Sequence, residues 1–433
     1  MNNNLVILGA GISGLGCAHA LRIKNLPYRI YEMRQYWGGL CDCFYIDKFR
    51  FDRFIHLSFS EIEYVNKLFL VTPYYKQQPY PYNYYSGCWI KHPAQNNLYN
   101  LSSSEKTRII ADFVNKLDMP VDKIKNYEQW LRCQYGDCFA ENFPMKYTRK
   151  YWTTEAKNIE IKWIGKRMYK PSLEEMESSC YTDKTPNRYY TEEMRYPKEG
   201  GYKSFLLNIA KDQAINFNKE VIAIDTDTKK ITFFDGEIIE YTKLISSIPL
   251  PEYAKLIRNI PNVVKNACEK LAWTCGVLVS IGFNKPDIAK HLWYYIYDED
   301  ILPSRVYSPS LKSPDNAPKG CSSIQAEIFF SNKYKPLKIS QEEILKNTIK
   351  QLSVIMNFSK NDIACSDVRY EPYANVIFDH EIYKNRKTIL DYLLNLGILP
   401  IGRFGEWEYF WSDQSLMSGV RAANNIYGGH AND

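Results

Sequence analysis

The sequence predicts an α/β protein: a parallel-sheet domain first, then a mostly helical insertion, then a second sheet. Three observations predict it. Leu5–Leu8 is an unbroken apolar run, the pattern of a strand buried on both faces. Gly9-Ala10-Gly11-Ile12-Ser13-Gly14 follows directly and opens a helical stretch that reaches about Lys24. From Glu220 onward, VIAIDTD, LISSIP, CGVLVSIGF and SIQAEIFF read as strands, with Asp235-Gly236 as a hairpin signal. The 433 residues leave room for about three domain-sized units.

In chain order, a second strand covers residues 28–31 and ends at Glu32, which completes a βαβ opening. Residues 73–87 are rich in Tyr and Pro and read as a loop or edge hairpin that could cover a site. Residues 102–176 read mainly as helix, with Ser102, Ser103 and Ser104 as caps, and residues 177–194 as a polar loop. Residues 340–357 form a helix with Ser340 and Glu343 at capping-box spacing. A strand near Ile398 and a helix from about Asp413 close the chain. The boundaries expected are 1–72, 73–194, 195–250, 251–375 and 376–433. The first, third and fifth segments make one discontinuous domain, the second the helical insertion and the fourth the β-sheet substrate domain.

Composition excludes several classes. A formal charge of +6 is too weak an excess for a nucleic-acid partner, although it suits an anionic small substrate. The 11 cysteines are odd in number and scattered, with Cys41 and Cys43 closest and no Cys-x-x-Cys, so no metal site is expected. No signal peptide and no transmembrane segment are visible, and reduced cysteines in the cytoplasm fit best. The 35 tyrosines offer flat faces with hydroxyls, a combination suited to nucleotides and sugars.

The glycine loop points to a dinucleotide. Gly9 permits a tight turn, Gly11 lets backbone approach a pyrophosphate, and Gly14 allows close packing of helix on strand. The pyrophosphate then sits at the positive helix end, and Glu32 accepts from ribose hydroxyls. After Glu32 come Arg34 and the pair Gly38-Gly39. This E-x-R-x-x-x-G-G spacing resembles FAD enzymes of the glutathione-reductase type, in which the arginine and the glycine pair help bind the flavin cofactor. The fold class expected is therefore a Rossmann-type FAD-binding domain. Val221 starts a strand where such folds clasp the adenine end through backbone groups.

Five further segments together resemble the UDP-galactopyranose mutases of the eukaryotic type and their bacterial relatives, within the superfamily of amine oxidases and protoporphyrinogen oxidase. Phe51-Asp52-x-x-x-His56-x-x-Phe59-Ser60 is similar to the loop whose histidine covers the flavin, although the family has two glycines where this chain has Phe54 and Ile55. Pro93-Ala94-Gln95-Asn96-Asn97 is similar to a Pro-aromatic-Gln-Asn-Asn segment beside the nucleotide, which implies substrate contacts for Gln95 and Asn96. Tyr147-x-x-Lys150-x-Trp152 and Trp163-Ile-Gly-Lys-Arg167 imply that Trp152 flanks the nucleotide and Arg167 grips the diphosphate. Tyr295 and Arg305 repeat a spacing whose tyrosine lies near the nucleotide and whose arginine is a second diphosphate ligand. Gly402-Arg403-Phe404-Gly405-Glu406-Trp407-Glu408-Tyr409 with Asp413-Gln414 is similar to the segment that passes the flavin and enters a helix facing it. There Arg403, Asp413 and Gln414 would serve the cofactor and Tyr409 a substrate phosphate.

The resemblance implies a flavin-dependent sugar-nucleotide mutase, acting in surface polysaccharide synthesis on a UDP- or GDP-sugar. Reduced FAD would attack the anomeric carbon through N5, with His56, Arg167 and Arg305 as the catalytic residues. A reductant such as NAD(P)H or a reductase is implied. Ala94 replaces an aromatic that helps enclose uracil, which leaves space for a larger base such as guanine. Tyr373-Ala-Asn375 departs from the family near the sugar. The competing reading is an amine-oxidase-like enzyme that takes hydride from a small substrate, and a third is a flavin-binding protein without catalysis.

Overall fold

The computed structural model describes residues 4–165 and 167–426. One parallel sheet runs in the order Ile398–Pro400, Lys243–Ser246, Leu5–Leu8, Arg29–Tyr31, Ile215–Asn216. Leu5–Leu8 is its central strand and all four side chains are buried, which explains the lack of polar alternation. The helix Ile12–Ile23 crosses the C-terminal helix Ser412–Ile426 at close range. A Cβ on Gly419 would lie 1.9 Å from the Ser13 carbonyl oxygen, and one on Gly16 would lie 2.7 Å from that of Leu416. Beside this sheet, Val221–Asp225, Lys230–Phe233 and Ile238–Glu240 form a small antiparallel meander, with Asp235-Gly236 at its second turn.

A second sheet has seven strands, in the order Ile363–Val376, Trp273–Phe283, Ser322–Ser331, Arg305–Tyr307, Trp293–Ile296, Tyr82–Tyr85, Cys88–Lys91. Every ten-residue position of Ser322–Ser331 is buried. Its residues alternate: Ile324, Ala326, Ile328 and Phe330 share a core with Val277, Val279 and the helix Gln341–Met356, whereas Gln325, Glu327 and Phe329 fall on the opposite face. That second face is polar and buried at once, so its side chains require partners within the protein.

The Tyr- and Pro-rich stretch is not a free cover. Tyr74–Gln77 pairs with Met194–Pro197, and Tyr82–Tyr85 with Cys88–Lys91 forms the edge hairpin of the second sheet. The helical insertion begins with a complete capping box at Ser102 and Glu105. At Ser340 only half of the expected box forms: Ser340 Oγ accepts from Glu343 N at 3.1 Å. A π-helical turn, Glu141–Met145, surrounds Pro144 and leads into the helix Lys146–Tyr151. Thr148 Oγ1 donates to the Pro144 carbonyl at 2.7 Å and holds this irregular turn together.

The histidine loop shows how the chain tolerates Phe54. Its φ is +66°, a left-handed conformation that an aromatic residue adopts only at a cost of about 1–2 kcal/mol. The ring stacks on Phe329 at 6.1 Å and fills the space above Gly276, where a Cβ would lie 2.5 Å from it. Gly276 is the complement that lets an aromatic stand at this bend.

Candidate functional site

Two glycine loops meet edge to edge at the end of the parallel sheet. Gly38 N donates to the Ala10 carbonyl at 2.9 Å, and Gly11 bridges to Gly38. A Cβ on Gly39 would lie 3.1 Å from Gly11 Cα, and one on Gly14 would lie 1.9 Å from the Gly9 carbonyl oxygen. Gly9 has φ +97° and Gly38 +113°, values other residues rarely adopt. The helix Ile12–Ile23 starts at Gly11 with no side-chain cap and no acid in its first turn, so its leading N–H groups are left for an anion.

Glu32 lies at this junction, buried, and its carboxylate does more than was expected of it. Oε2 accepts from Ala10 N at 2.7 Å and Oε1 from Arg34 N at 2.9 Å, so it ties the two loops together. Carboxylate oxygens have lone pairs to spare, and ribose hydroxyls could still be accepted. Arg34 donates to Tyr36 Oη at 3.1 Å and to Glu371 at 3.3 Å, which attaches the loop to the second sheet. Lys219 N donates to the Glu32 carbonyl at 2.9 Å, which brings the approach to Val221 alongside the same loop. These residues fit a dinucleotide: an uncapped helix end, a floor without side chains and a buried acid at the ribose end.

A cluster of aromatic side chains outlines the candidate substrate pocket. Trp152 packs against Trp163 and Tyr409, both at 5.2 Å. Tyr147 and Tyr151 stack on successive turns of one helix, and Tyr295 meets Tyr147 edge-on at 5.4 Å. Tyr151 and Tyr409 hydroxyls lie 3.3 Å apart. Tyr189 and Tyr190, from the polar loop, close the far side against His92, Tyr295 and Trp411.

Three guanidinium groups face this pocket, each held differently. Arg167 donates Nη1 to the Trp163 carbonyl and Nη2 to the Tyr409 carbonyl, both at 3.0 Å, and lies 4.6 Å over the rings of Tyr409 and Trp411. No carboxylate pairs with it among the described residues, and its Nε is buried without a partner. Burial pushes its pKa down, because desolvation opposes the charge. Arg305 is the opposite case: Nε and Nη2 both donate to Glu327 Oε2, at 2.8 and 2.5 Å. Arg403 donates to the carbonyls of Phe410 and Ala374.

Glu327 is the residue that sequence reasoning missed. It is fully buried, stands opposite Arg305 across two strands, and accepts Ile55 N through Oε1 at 2.8 Å. One carboxylate therefore positions both an arginine and the histidine loop. Its sequence signal is the one acid in a strand whose alternation predicts one polar face. His56 stacks on Tyr202 at 5.0 Å, and Nδ1 donates to the Phe54 carbonyl at 3.2 Å. A carbonyl can only accept, so Nδ1 carries the proton and Nε2 is the acceptor. Burial lowers the His56 pKa to about 4, so the ring is neutral at pH 7.

The remaining expected residues fall in two places. Gln95 and Asn96 are buried where the 3-10 turn Ala94–Asn96 meets the polar loop: Gln95 Nε2 donates to the Tyr169 carbonyl at 3.1 Å and Asn96 Nδ2 to that of Pro186 at 3.4 Å. Ala94 is fully buried in the core of the helical insertion, so the space expected there for a larger base is already filled. Asp413 and Gln414 begin the C-terminal helix, where Gln414 Oε1 accepts Trp411 N at 2.9 Å. Trp407 is core: it is fully buried and packs with Trp273 and Phe404. Among the described residues no group of His, Cys, Asp and Glu could hold a metal ion, and no helix is long and apolar enough to cross a membrane.

The family flavin containing amine oxidoreductase matches residues 161–426, and an NAD(P)-binding Rossmann-like domain matches residues 7–69. Among solved structures, a reduced UDP-galactopyranose mutase superposes with TM-score 0.92 at 23% identity, over 100% of this chain and 97% of that one. An Exiguobacterium sp. 255-15 protein provisionally assigned as a protoporphyrinogen oxidase follows, with TM-score 0.74 at 14% identity over 98% and 99% of the two chains. Putrescine oxidase bound to putrescine gives 0.64, at 14% identity over 98% of each chain. No curated protein sequence matches.

Proposed function

The chain belongs to the flavin containing amine oxidoreductase family, with FAD as its cofactor, and on that premise we propose that it is a sugar-nucleotide mutase. It would interconvert ring forms of a nucleoside-diphosphate sugar without net oxidation. The observation that carries this reading is Arg167: a half-buried guanidinium, flanked by aromatic rings, with no acid partner and an unpartnered Nε. Such a group calls for an anion, and its planar fork matches a phosphate. The full-length likeness in fold to a reduced UDP-galactopyranose mutase supports the same reading.

Bound and reduced, FAD supplies a nucleophilic nitrogen toward the anomeric carbon. Arg167 would hold the departing diphosphate, and Arg305, kept in place by Glu327, would flank it. Tyr147, Tyr151, Tyr295 and Tyr409 would line the sugar and phosphate path, while Trp152 walls the nucleotide side. Tyr189 and Tyr190 exclude water from the far side, where a hydrolytic side reaction would otherwise compete. His56 stays neutral, with Nε2 as a hydrogen-bond acceptor. A reductant of the NAD(P)H type, or a reductase, would start the cycle, and surface polysaccharide is the destination we propose for the product.

An oxidoreductase reading also draws on the family. It would need a site that welcomes an amine cation, and the guanidinium groups of Arg167 and Arg403, which have no acid partner among the described residues, would repel one. The deciding experiment is to reduce the protein anaerobically with dithionite and incubate it with a panel of UDP- and GDP-sugars. Anion-exchange chromatography should then show a product isomeric with one substrate, formed only by reduced protein. Arg167→Ala should lower its formation by about 10–100-fold, the loss of a charge-assisted bidentate contact. Peroxide release from an amine panel, with no isomer from any sugar nucleotide, would overturn the mutase reading.

A further inference from the structure

On the side of the helix Lys146–Tyr151 away from Tyr147 and Tyr151 there is an open cleft of about 410 Å³. Its lining includes Arg149, Lys150, Thr153, Glu155, Glu299 and Lys335. That volume is in the range of small-molecule sites. Of these residues only Lys150 stands in a segment of the mutase resemblance, and none has a role in the mutase reading.

The charges in the cleft do not cancel. Glu299 is answered in full by Arg149, whose Nε and Nη2 reach its two oxygens at 2.7 and 2.8 Å. Glu155 also lies on Arg149, at 3.3 Å. Three basic side chains against two acidic ones leave a surplus of one positive charge, and the ammonium groups without an acid partner are those of Lys150 and Lys335. Lys150 is 6% exposed, and among the described residues its ammonium makes one hydrogen bond, to the Asp298 carbonyl at 2.7 Å, with no carboxylate in ion-pair range. Lys335 has no hydrogen-bond or ion-pair partner for its ammonium among the described residues; it lies 5.5 Å over the Phe330 ring. Thr153 completes the lining: its φ is +60°, and its hydroxyl is buried without a partner. A buried ammonium with donors to spare, a second ammonium close by and an orphaned hydroxyl all ask for the same thing, an acceptor with negative charge.

We propose that this cleft binds a phosphate-sized oxyanion, held by Lys150 and Lys335. The ligand is inorganic phosphate or the phosphate end of a small phosphorylated metabolite. The protonation state of Lys150 gives the site a signature. Burial, assisted by Lys335, pulls its pKa down to about 7, against the opposing pull of Asp298, Glu299 and Asp300. Around pH 8 the amine is then mostly neutral, and an arriving anion recharges it. Binding should therefore take up roughly one proton per anion at that pH.

The test is calorimetric titration of the FAD-loaded protein with inorganic phosphate and, separately, with a sugar monophosphate. It is run at pH 8 in two buffers of different ionisation heat, at constant chloride. One saturable site with proton uptake is expected. Lys335→Gln should weaken it by about tenfold, and Lys150→Met should abolish both the uptake and the binding, while Lys338→Gln changes neither. Tighter binding of the sugar phosphate than of phosphate, lost in the same variants, would identify the larger ligand. The proposal fails if no heat develops, or if binding survives both lysine variants and vanishes in Arg167→Ala, since the anion would then occupy the aromatic pocket.

Discussion

Between Gly9 and Gly39 the chain shapes a cleft by leaving side chains out, and between Tyr147 and Trp411 it shapes a pocket by putting large ones in. In the cleft, function rests on backbone: an uncapped helix end, two loops in contact and one carboxylate, Glu32, that ties them. Nothing there can be enlarged, because a Cβ at Gly14 would overlap a carbonyl oxygen. The pocket instead rests on rings and guanidinium groups that share contacts, so single losses should be felt locally. The contrast teaches where specificity can vary. A backbone cradle accepts one cofactor shape, whereas a wall of side chains can be exchanged residue by residue for another substrate.

The sharpest way to break the contrast is Gly14→Ala. Its Cβ would lie 1.9 Å from the Gly9 carbonyl oxygen, and a backbone atom cannot step aside cheaply. Overpacking of this kind costs about 1–3 kcal/mol, and the loop that bears the strain is the cofactor loop. Flavin retention, read as visible absorbance per protein after gel filtration, should fall by about 10–100-fold. Full retention of flavin would show that the cleft is as forgiving as the pocket.

A smaller effect is expected inside the pocket from Glu327→Gln. The amide keeps the shape and can still accept from Ile55 N, but it withdraws the charge that answers Arg305. The arginine would be left buried without its counter-ion, a loss of about 3–5 kcal/mol if nothing else answers it. On the mutase reading, a bound diphosphate would replace it. The variant should therefore unfold at lower urea than the parent when free and recover much of the difference with UDP present. An equal loss with and without UDP would mean that Arg305 does not face the anion.

The two regions also differed in how far sequence alone could read them. The glycine cleft was legible because its rule is local: Gly9, Gly11 and Gly14 lie within six residues, and Glu32 follows one helix later. The pocket was legible only as a set of candidates. Arg167 and Arg305 both stood out as arginines, but whether a guanidinium is already paired depends on what the fold brings to it. Glu327 is 22 residues from Arg305 in sequence and directly opposite in the sheet. Ala94 looked like a vacancy and is core, because the helical insertion packs over it. Phe54 looked like an obstruction and is accommodated by Gly276, more than two hundred residues away.

The gentlest probe of the comparison is pH, because the pocket holds two histidines that the fold keeps neutral. Burial lowers His56 to about 4 and His92 to about 3 from an ordinary value of 6.5. His92 donates Nδ1–H to Asn83 Oδ1 at 3.0 Å, as His56 does to a carbonyl, so both need only one proton. Below pH 6.5 the unfolded chain binds protons that the folded chain refuses, and the linkage sign follows: stability falls as pH drops from 6.5 toward 4. Each histidine should contribute on the order of 2 kcal/mol across that window. His19, on the helix of the glycine cleft, is lowered by burial as well, so the cleft is not silent. The share of His56 is isolated by His56→Asn, which should narrow the gap between the urea midpoints at pH 7.5 and pH 5 without closing it, because His92 and His19 remain. If they stay as far apart as in the parent, the acid sensitivity lies outside the histidine loop.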